Sequence, residues 1–222
     1  MVEHTPEQPG PVSATIAFID LAGFSAITDV FGDLSAIAIL EVFEALVAQH
    51  TGEGGRLVKW IGDEAMLVFS DPDTALASLG RLLPACRADE RIPLTRSALH
   101  HGPVISRGSD IFGATVNAAA RMTAIARPGD LIATAPVAEV ASKLGIKTRS
   151  LGAVTLRSMR EPVSLYKIEL AGEIEPAWID PVCKMHAPYA AYQNRKADGL
   201  WFCSPTCEAA YRQSPATYKR AD

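Results

Sequence analysis

No apolar run in this chain approaches the ~18 residues needed to cross a bilayer. The greasiest stretch, residues 36–48, is interrupted by Glu41 and Glu44 and reads as an amphipathic helix, so no membrane partner is expected. An excess of positive charge is missing too. Lys and Arg number 21 against 25 Asp and Glu, a formal net charge of −4, which excludes a strongly basic nucleic-acid binder, though not a local patch. Residues 1–11 lack a basic region followed by an apolar one, so no signal peptide is read and a cytoplasmic location is expected. Cysteine is scarce, at four residues. In a reducing compartment these are expected to be free or metal-bound rather than paired. Internal repeats and low-complexity segments are absent. What remains, 48% hydrophobic and 21% charged residues, is ordinary globular composition and argues against disorder.

The composition changes along the chain. Three of the four Cys, two of the three Trp and four of the five Tyr lie beyond residue 177. Residues 178–222 hold six Lys/Arg and four Asp/Glu, a net +2 against −6 for the remainder. The segment 171–177 combines Gly, Pro and acids and suits a short linker. With three Pro and one Gly, residues 1–11 read as a disordered lead-in. The expected organisation is therefore a lead-in over 1–11, a domain over 12–170, a linker over 171–177 and a small module over 178–222.

Strands and helices alternate in the larger domain. Residues 15–19 form a short buried strand ending at Asp20. A helix is expected over about 34–49, with apolar residues at 39, 42, 43 and 46. Strands at 56–60 and 65–69 flank a turn containing Gly62-Asp63, a hairpin signature. Asp71-Pro72 opens a further helix with Pro at its first position. Strands at 94–101 and 104–106 flank Gly102-Pro103, and a helix over about 113–126 stops at Arg127-Pro-Gly129. Two last strands are expected at 148–155 and 163–169. This order implies an α+β fold: a ferredoxin-like βαββαβ sheet with helices on one face, followed by a small Cys-rich module.

Several of these turns carry reactive groups. Asp20 ends an apolar strand beside Gly23, where backbone can approach a ligand, and Asp63 sits in the hairpin turn. Two carboxylates so placed can share a pair of hard cations that activate an oxygen and hold a triphosphate. They could equally cap a helix and shape a turn. Asn117 and Arg121, four apart, share a helical face. An amide and a guanidinium there can hold a ribose oxygen and a phosphoryl group, or simply face solvent.

Three motifs occur in order: Phe18-Ile-Asp-Leu-Ala-Gly-Phe24, Val58-Lys-Trp-Ile-Gly-Asp63 and Asp110-Ile-Phe-Gly-Ala-Thr-Val-Asn-Ala-Ala-Ala-Arg-Met122. Together with His101-Gly-Pro103, Ala126-Arg-Pro-Gly129 and Arg160-Glu-Pro-Val-Ser-Leu-Tyr166, they make residues 12–170 resemble the catalytic domain of class III nucleotide cyclases. The resemblance implies that Asp20 and Asp63 bind two Mg²⁺ or Mn²⁺ ions, and that Lys59 and Asp110 read the purine edge with a preference for adenine. It implies that Asn117 and Arg121 orient the ribose and stabilise the transition state. It also implies ATP as substrate and a homodimer whose two sites each draw on both chains. Arg157-Ser-Met159 departs from the Lys-Gly common in the family before the last strand, away from these six positions.

The last 45 residues carry Cys183, Cys203 and Cys207 at Cys-x19-Cys-x3-Cys spacing. A segment this small rarely folds unaided, and three thiols suggest a metal. Residues 178–219 look like a YHS domain, akin to the TRASH metal-chelating module. Three thiols with His186 as a fourth ligand suit Zn²⁺ or Cu⁺. The leading reading is thus an adenylate cyclase, a phosphorus–oxygen lyase, with a metal-binding or sensing tail. Its rivals are a guanylate cyclase, disfavoured by Lys59 and Asp110, and a non-catalytic cyclase-like dimerisation module carrying that tail.

Overall fold

A computed structural model describes residues 11–187, 196–197 and 199–218. Most of the expected lead-in, and part of the expected C-terminal module, lie outside the described residues. The sheet is organised by its first strand, β1 (Val12–Leu21), which is buried on both faces. With side chains alternating, Ala17, Ile19 and Leu21 enter one core while Ala14, Ile16 and Phe18 enter another. This is why the strand reads as a continuous apolar run.

Two helices follow, α1 (Phe24–Phe31) and α2 (Asp33–His50), then the hairpin β2 (Gly55–Ile61) and β3 (Glu64–Phe69). Helix α3 (Pro72–Ala88) starts as expected, with Asp71 as N-cap accepting from the Thr74 amide and Pro72 at the first turn. The chain continues through β4 (Thr95–Arg107), β5 (Asp110–Phe112), α4 (Ala114–Thr123), β6 (Leu131–Thr134), α5 (Ala135–Lys143), β7 (Thr148–Val154) and β8 (Val163–Ile168). The sheet order is β2-β3-β1-β4-β6-β8-β7. Its first four strands, with the intervening helices, reproduce the ferredoxin-like βαββαβ arrangement expected. No helix among the described residues is long and apolar enough to cross a membrane.

The structure corrects two local expectations and adds elements that the sequence did not show. The helices do not share one face. Phe43 and Val47 of α2, Leu76 and Leu79 of α3 and Val137 of α5 pack on the side of Ile19, whereas Ala119 of α4 packs on the side of Phe18. The strands around Gly102-Pro103 are one strand, because Pro103 keeps its place in register opposite Ser13. Gly102 lets α4 approach: a Cβ there would sit 2.8 Å from Thr115 Oγ1, which itself bonds the Pro103 carbonyl at 2.7 Å. Helix α1 and the pair β6–α5 were not anticipated, being too short to show a clear period.

A 3-10 turn (Pro176–Trp178) leads from the linker into the C-terminal module, which contains a small hairpin, β9 (Lys196–Ala197) and β10 (Leu200–Trp201), and helix α6 (Pro205–Gln213). The module packs on the larger domain rather than hanging from it. Val182, Cys183, Phe202 and Cys207 form a buried cluster with Ile27 of α1 and Ala36 of α2. The linker is tied down as well, since Arg87 of α3 donates to the carbonyls of Ala171, Gly172 and Gly129.

Candidate active site and thiol centre

Asp20 lies opposite Glu64 on β3 and opposite Arg96 on β4 in the strand register. Directly paired residues in antiparallel strands project to the same face, so β1, β3 and β4 deliver an acid, an acid and a base to one spot. Asp63 joins them from the β2–β3 turn. The Arg96 guanidinium is hydrogen-bonded to the Asp20 carboxylate. Burial raises the pKa of Asp20 despite that partner. Burial, then the charge of Asp20, pushes Asp63 up to about 6, and burial followed by Asp20 pushes Glu64 up to about 7. Three crowded carboxylates thus face one cation. Such a surplus of oxygen ligands suits hard divalent cations.

These shifts have a testable sign. An acid whose folded pKa lies above its unfolded value stabilises the fold most below about pH 4, and this contribution is lost as pH rises through about 6 to 7. Without divalent ions, Asp63→Asn is therefore expected to melt above the wild type at pH 7.5, with the gap closing toward pH 5. A melting difference independent of pH would contradict the arrangement.

Lys59, on β2, is re-aimed by a bulge between Leu57 and Lys59. Its Nζ bonds both carboxylate oxygens of Asp110, at 2.9 and 2.8 Å, and lies 5.6 Å from the Phe112 ring centre. The Lys59 hydrogen bond, with the Ile111 amide, holds the Asp110 pKa below its usual value. The expected purine readers are thus a pre-paired donor and acceptor. Asn117 is exposed and Arg121 half-buried, while Thr115, Ala118, Ala119, Met122 and Thr123 form the buried side of α4. The pair lies off the face that packs on the sheet. Sequence reasoning missed Arg96 and Glu64. Both were findable once β3 and β4 were registered against Asp20.

In the C-terminal module, Cys183, Cys203 and Cys207 converge as expected. The sulfurs of Cys183 and Cys203 are 3.4 Å apart, and those of Cys203 and Cys207 are 3.6 Å apart. All four cysteines of the chain are free thiols. Thiolates on one tetrahedral ion with bonds of about 2.3 Å would be separated by a little under 4 Å.

The expected fourth ligand is corrected. Asp180, not His186, joins the three thiols in the group that could hold an ion. His186 is outside that group, and its backbone pairs with Ile179 in an isolated β-bridge. Its pKa is lowered by burial and by Arg87. Asp180 is fully buried, and its carboxylate accepts from the amides of Val182 (2.7 Å), Cys183 (3.4 Å) and Cys203 (2.7 Å). It therefore shapes both cysteine loops. Burial, then Cys203, pushes its pKa up to about 6. Hydrogen bonds from Cys183 and Cys207 push Cys203 toward the thiolate, while Cys183 is held protonated. Asp180-Pro-Val-Cys183 carried a signal, because Asp before Pro opens a turn.

No protein-family model matches the chain. Among curated proteins, it is 30% identical over 164 residues to a pH-sensitive adenylate cyclase of Mycobacterium tuberculosis, covering 72% of this chain and 41% of that protein. It is 35% identical over 128 residues to an adenylate cyclase of Glutamicibacter nicotianae, covering 57% and 32%. The chain thus spans less than half the length of these relatives. Among solved structures, the adenylyl cyclase CyaB of P. aeruginosa shares the fold with a TM-score of 0.65 at 17% identity, over 73% of this chain and 96% of that one. An adenylate/guanylate cyclase/hydrolase of Silicibacter pomeroyi superposes with a TM-score of 0.58 at 25% identity, over 72% and 98%. The chain is thus similar in sequence to proteins named adenylate cyclases, and it shares its fold with solved adenylyl cyclase structures.

Proposed function

We propose that residues 12–170 convert ATP to 3′,5′-cyclic AMP and pyrophosphate at sites shared between two copies of the chain. The observation that carries the reading is the convergence of Asp20, Asp63 and Arg96 at one end of the sheet, together with the Lys59–Asp110 pair. The 3′-oxygen of ATP attacks its own α-phosphorus and pyrophosphate leaves. The nucleophile is tethered to its target, so the protein supplies orientation and charge neutralisation rather than a nucleophile of its own. Mg²⁺ or Mn²⁺ bound by Asp20 and Asp63 would lower the proton affinity of the 3′-hydroxyl and neutralise the triphosphate. Arg121 takes up charge developing at the α-phosphate, and Asn117 orients the ribose. The test is direct: purified protein with ATP and Mn²⁺ is expected to form cyclic AMP and pyrophosphate in equal amounts, and formation of neither would end the reading.

Base choice rests on Lys59 and Asp110. The Lys ammonium donates to the adenine ring nitrogen and the Asp carboxylate accepts from the exocyclic amine. Guanine places a carbonyl at the position of that amine, leaving Asp110 opposite an acceptor. A site built around a hydrogen bond rejects such a mismatch by large factors. Expected kcat/KM for ATP exceeds that for GTP by about 100-fold. Comparable values for the two nucleotides would instead support a guanylate or unselective cyclase.

The segment over 178–222 is read as a YHS-like module that binds a soft cation through Cys183, Cys203, Cys207 and Asp180. Its support is the convergence of the three thiols, two of them buried and Cys203 half-buried, with the buried Asp180 carboxylate. Zn²⁺ and Cu⁺ suit such donors. Domain limits of 12–170 and 178–222, joined by a short linker, follow from this division of labour, as does a location in the cytoplasm, where thiols stay reduced.

A further inference from the structure

We propose that the thiol centre controls the cyclase site through the turn that carries Asp20. This rests on reading the three thiols as a metal centre. The argument begins at Cys183, which faces both ways. Its sulfur lies in the thiol group, 3.4 Å from that of Cys203. Its backbone carbonyl lies against Gly23, three residues beyond Asp20. Gly23 has φ +78°, and a Cβ there would stand 3.1 Å from both the carbonyl carbon and oxygen of Cys183 and 2.9 Å from Lys184 Cγ. The contact leaves no room for a side chain at residue 23.

A chain of hydrogen bonds runs beside it. The Leu94 amide donates to the Lys184 carbonyl at 3.1 Å, and the Ala22 amide donates to the Leu94 carbonyl at 2.8 Å. Ala22 is two residues from Asp20, and Leu94 is two residues from Arg96, whose guanidinium holds the Asp20 carboxylate. The knuckle over residues 180–185 therefore touches the segments just beyond the end of β1 and just before the start of β4, the two strands that bring Asp20 and Arg96 together. Behind the turn, α1 starts at Phe24, and its buried Ile27 lies in the same apolar cluster as Cys183 and Cys207.

The knuckle itself is closed and stiff. Its Asp180 amide donates to the Met185 carbonyl, and its Lys184 amide donates to the Asp180 carbonyl. Lys184 adopts φ +59°, a left-handed conformation costly for a residue with a side chain. Such a conformation persists only where its surroundings over-determine it. Cross-linking Cys183 to Cys203 and Cys207 through an ion adds one such constraint, and close-packed contacts pass it to the Ala22–Gly23 backbone. Occupancy of the centre thus fixes Asp20 relative to Asp63, and with it the affinity of the cyclase site for its divalent ions.

The test uses the full chain, purified metal-free under reductant, with Zn²⁺ and Cu⁺ added in separate arms. Three quantities are read: ions retained per chain, amide exchange at Ala22 and Leu94, and the Mn²⁺ concentration giving half-maximal cyclase activity. Loading of the centre should retain one ion per chain, slow exchange at both amides about 10-fold, and shift half-saturating Mn²⁺ by roughly 3-fold or more, a coupling typical of linked sites. All three effects should vanish in Cys203→Ser/Cys207→Ser and persist in His186→Ala. Cys203→Ser alone, at the least buried thiol, replaces the double variant if that fails to fold.

An ion retained with exchange and Mn²⁺ dependence unchanged would overturn the coupling and leave the metal centre standing. No ion retained would overturn both. A zinc effect surviving loss of the thiols would mean zinc acts at Asp20 and Asp63, and overturns the coupling. If the chain forms no cyclic nucleotide, exchange at Ala22 and Leu94 still decides the question, so failure of the cyclase reading is seen separately.

Discussion

Asp20→Ala is expected to lower cyclic AMP formation by two or more orders of magnitude at saturating ATP and Mn²⁺. Asp20 is 7% exposed and lies near the end of β1, paired with Glu64 of β3 on one side and Arg96 of β4 on the other. Its charge acts on both Asp63 and Glu64, and its carboxylate is paired with Arg96. Removing a carboxylate from a shared two-ion site removes charge stabilisation that is realised in the transition state, so the loss falls on kcat as well as on Mn²⁺ dependence. The fold should survive. Burial penalises the Asp20 charge, and its raised pKa means that losing the group relieves part of that cost at neutral pH. Steady-state kinetics and a melting curve on the same sample check both halves. Activity within a factor of a few of wild type would remove the assignment of Asp20 as an ion ligand.

The second large effect is a recovery rather than a loss. Asp63→Ala and Asn117→Ala should each be inactive alone, yet a mixture should regain a substantial fraction of wild-type activity, about one quarter where subunits exchange at random in a symmetric dimer. Asp63 lies in the β2–β3 turn, while Asn117 is exposed on α4, off the face that packs on the sheet. A residue so presented is placed to serve a second copy of the chain. In a mixed dimer, one of the two sites receives an intact carboxylate pair from one chain and an intact Asn117–Arg121 pair from the other. The measurement needs independent proof of subunit exchange, for example by differently sized tags. Exchange without recovered activity would sink the shared site.

Much of this was legible along the chain because it rests on local chemistry. The hairpin around Gly62-Asp63 follows from turn preferences, and α3 follows from Asp71 and Pro72. The convergence of Cys203 and Cys207 follows from the first turn of α6, where Ser204 caps the Cys207 amide at 3.2 Å. What stayed hidden depends on partners distant in sequence. Arg96 looks like any strand residue until β4 is laid beside β1. Asp180 looks like a turn former until the Cys203 amide, 23 residues away, is found on its carboxylate. His186, near enough in sequence to be the natural fourth ligand, stays outside the group and pairs by its backbone with Ile179.

Sequence alone thus determined the ferredoxin-like order of strands and helices and the three-thiol group. Each of these is written in periodicity, turn chemistry or residue identity at short range. Only the tertiary structure decided that α4 covers the opposite face of the sheet from α2 and α3, because that choice is made by which of two alternating apolar rows each helix buries. It alone placed Asp180 at the thiols and Arg96 at Asp20. It also seated the Cys-rich knuckle against Gly23, since backbone contact between segments 160 residues apart is set by packing, which no local pattern encodes.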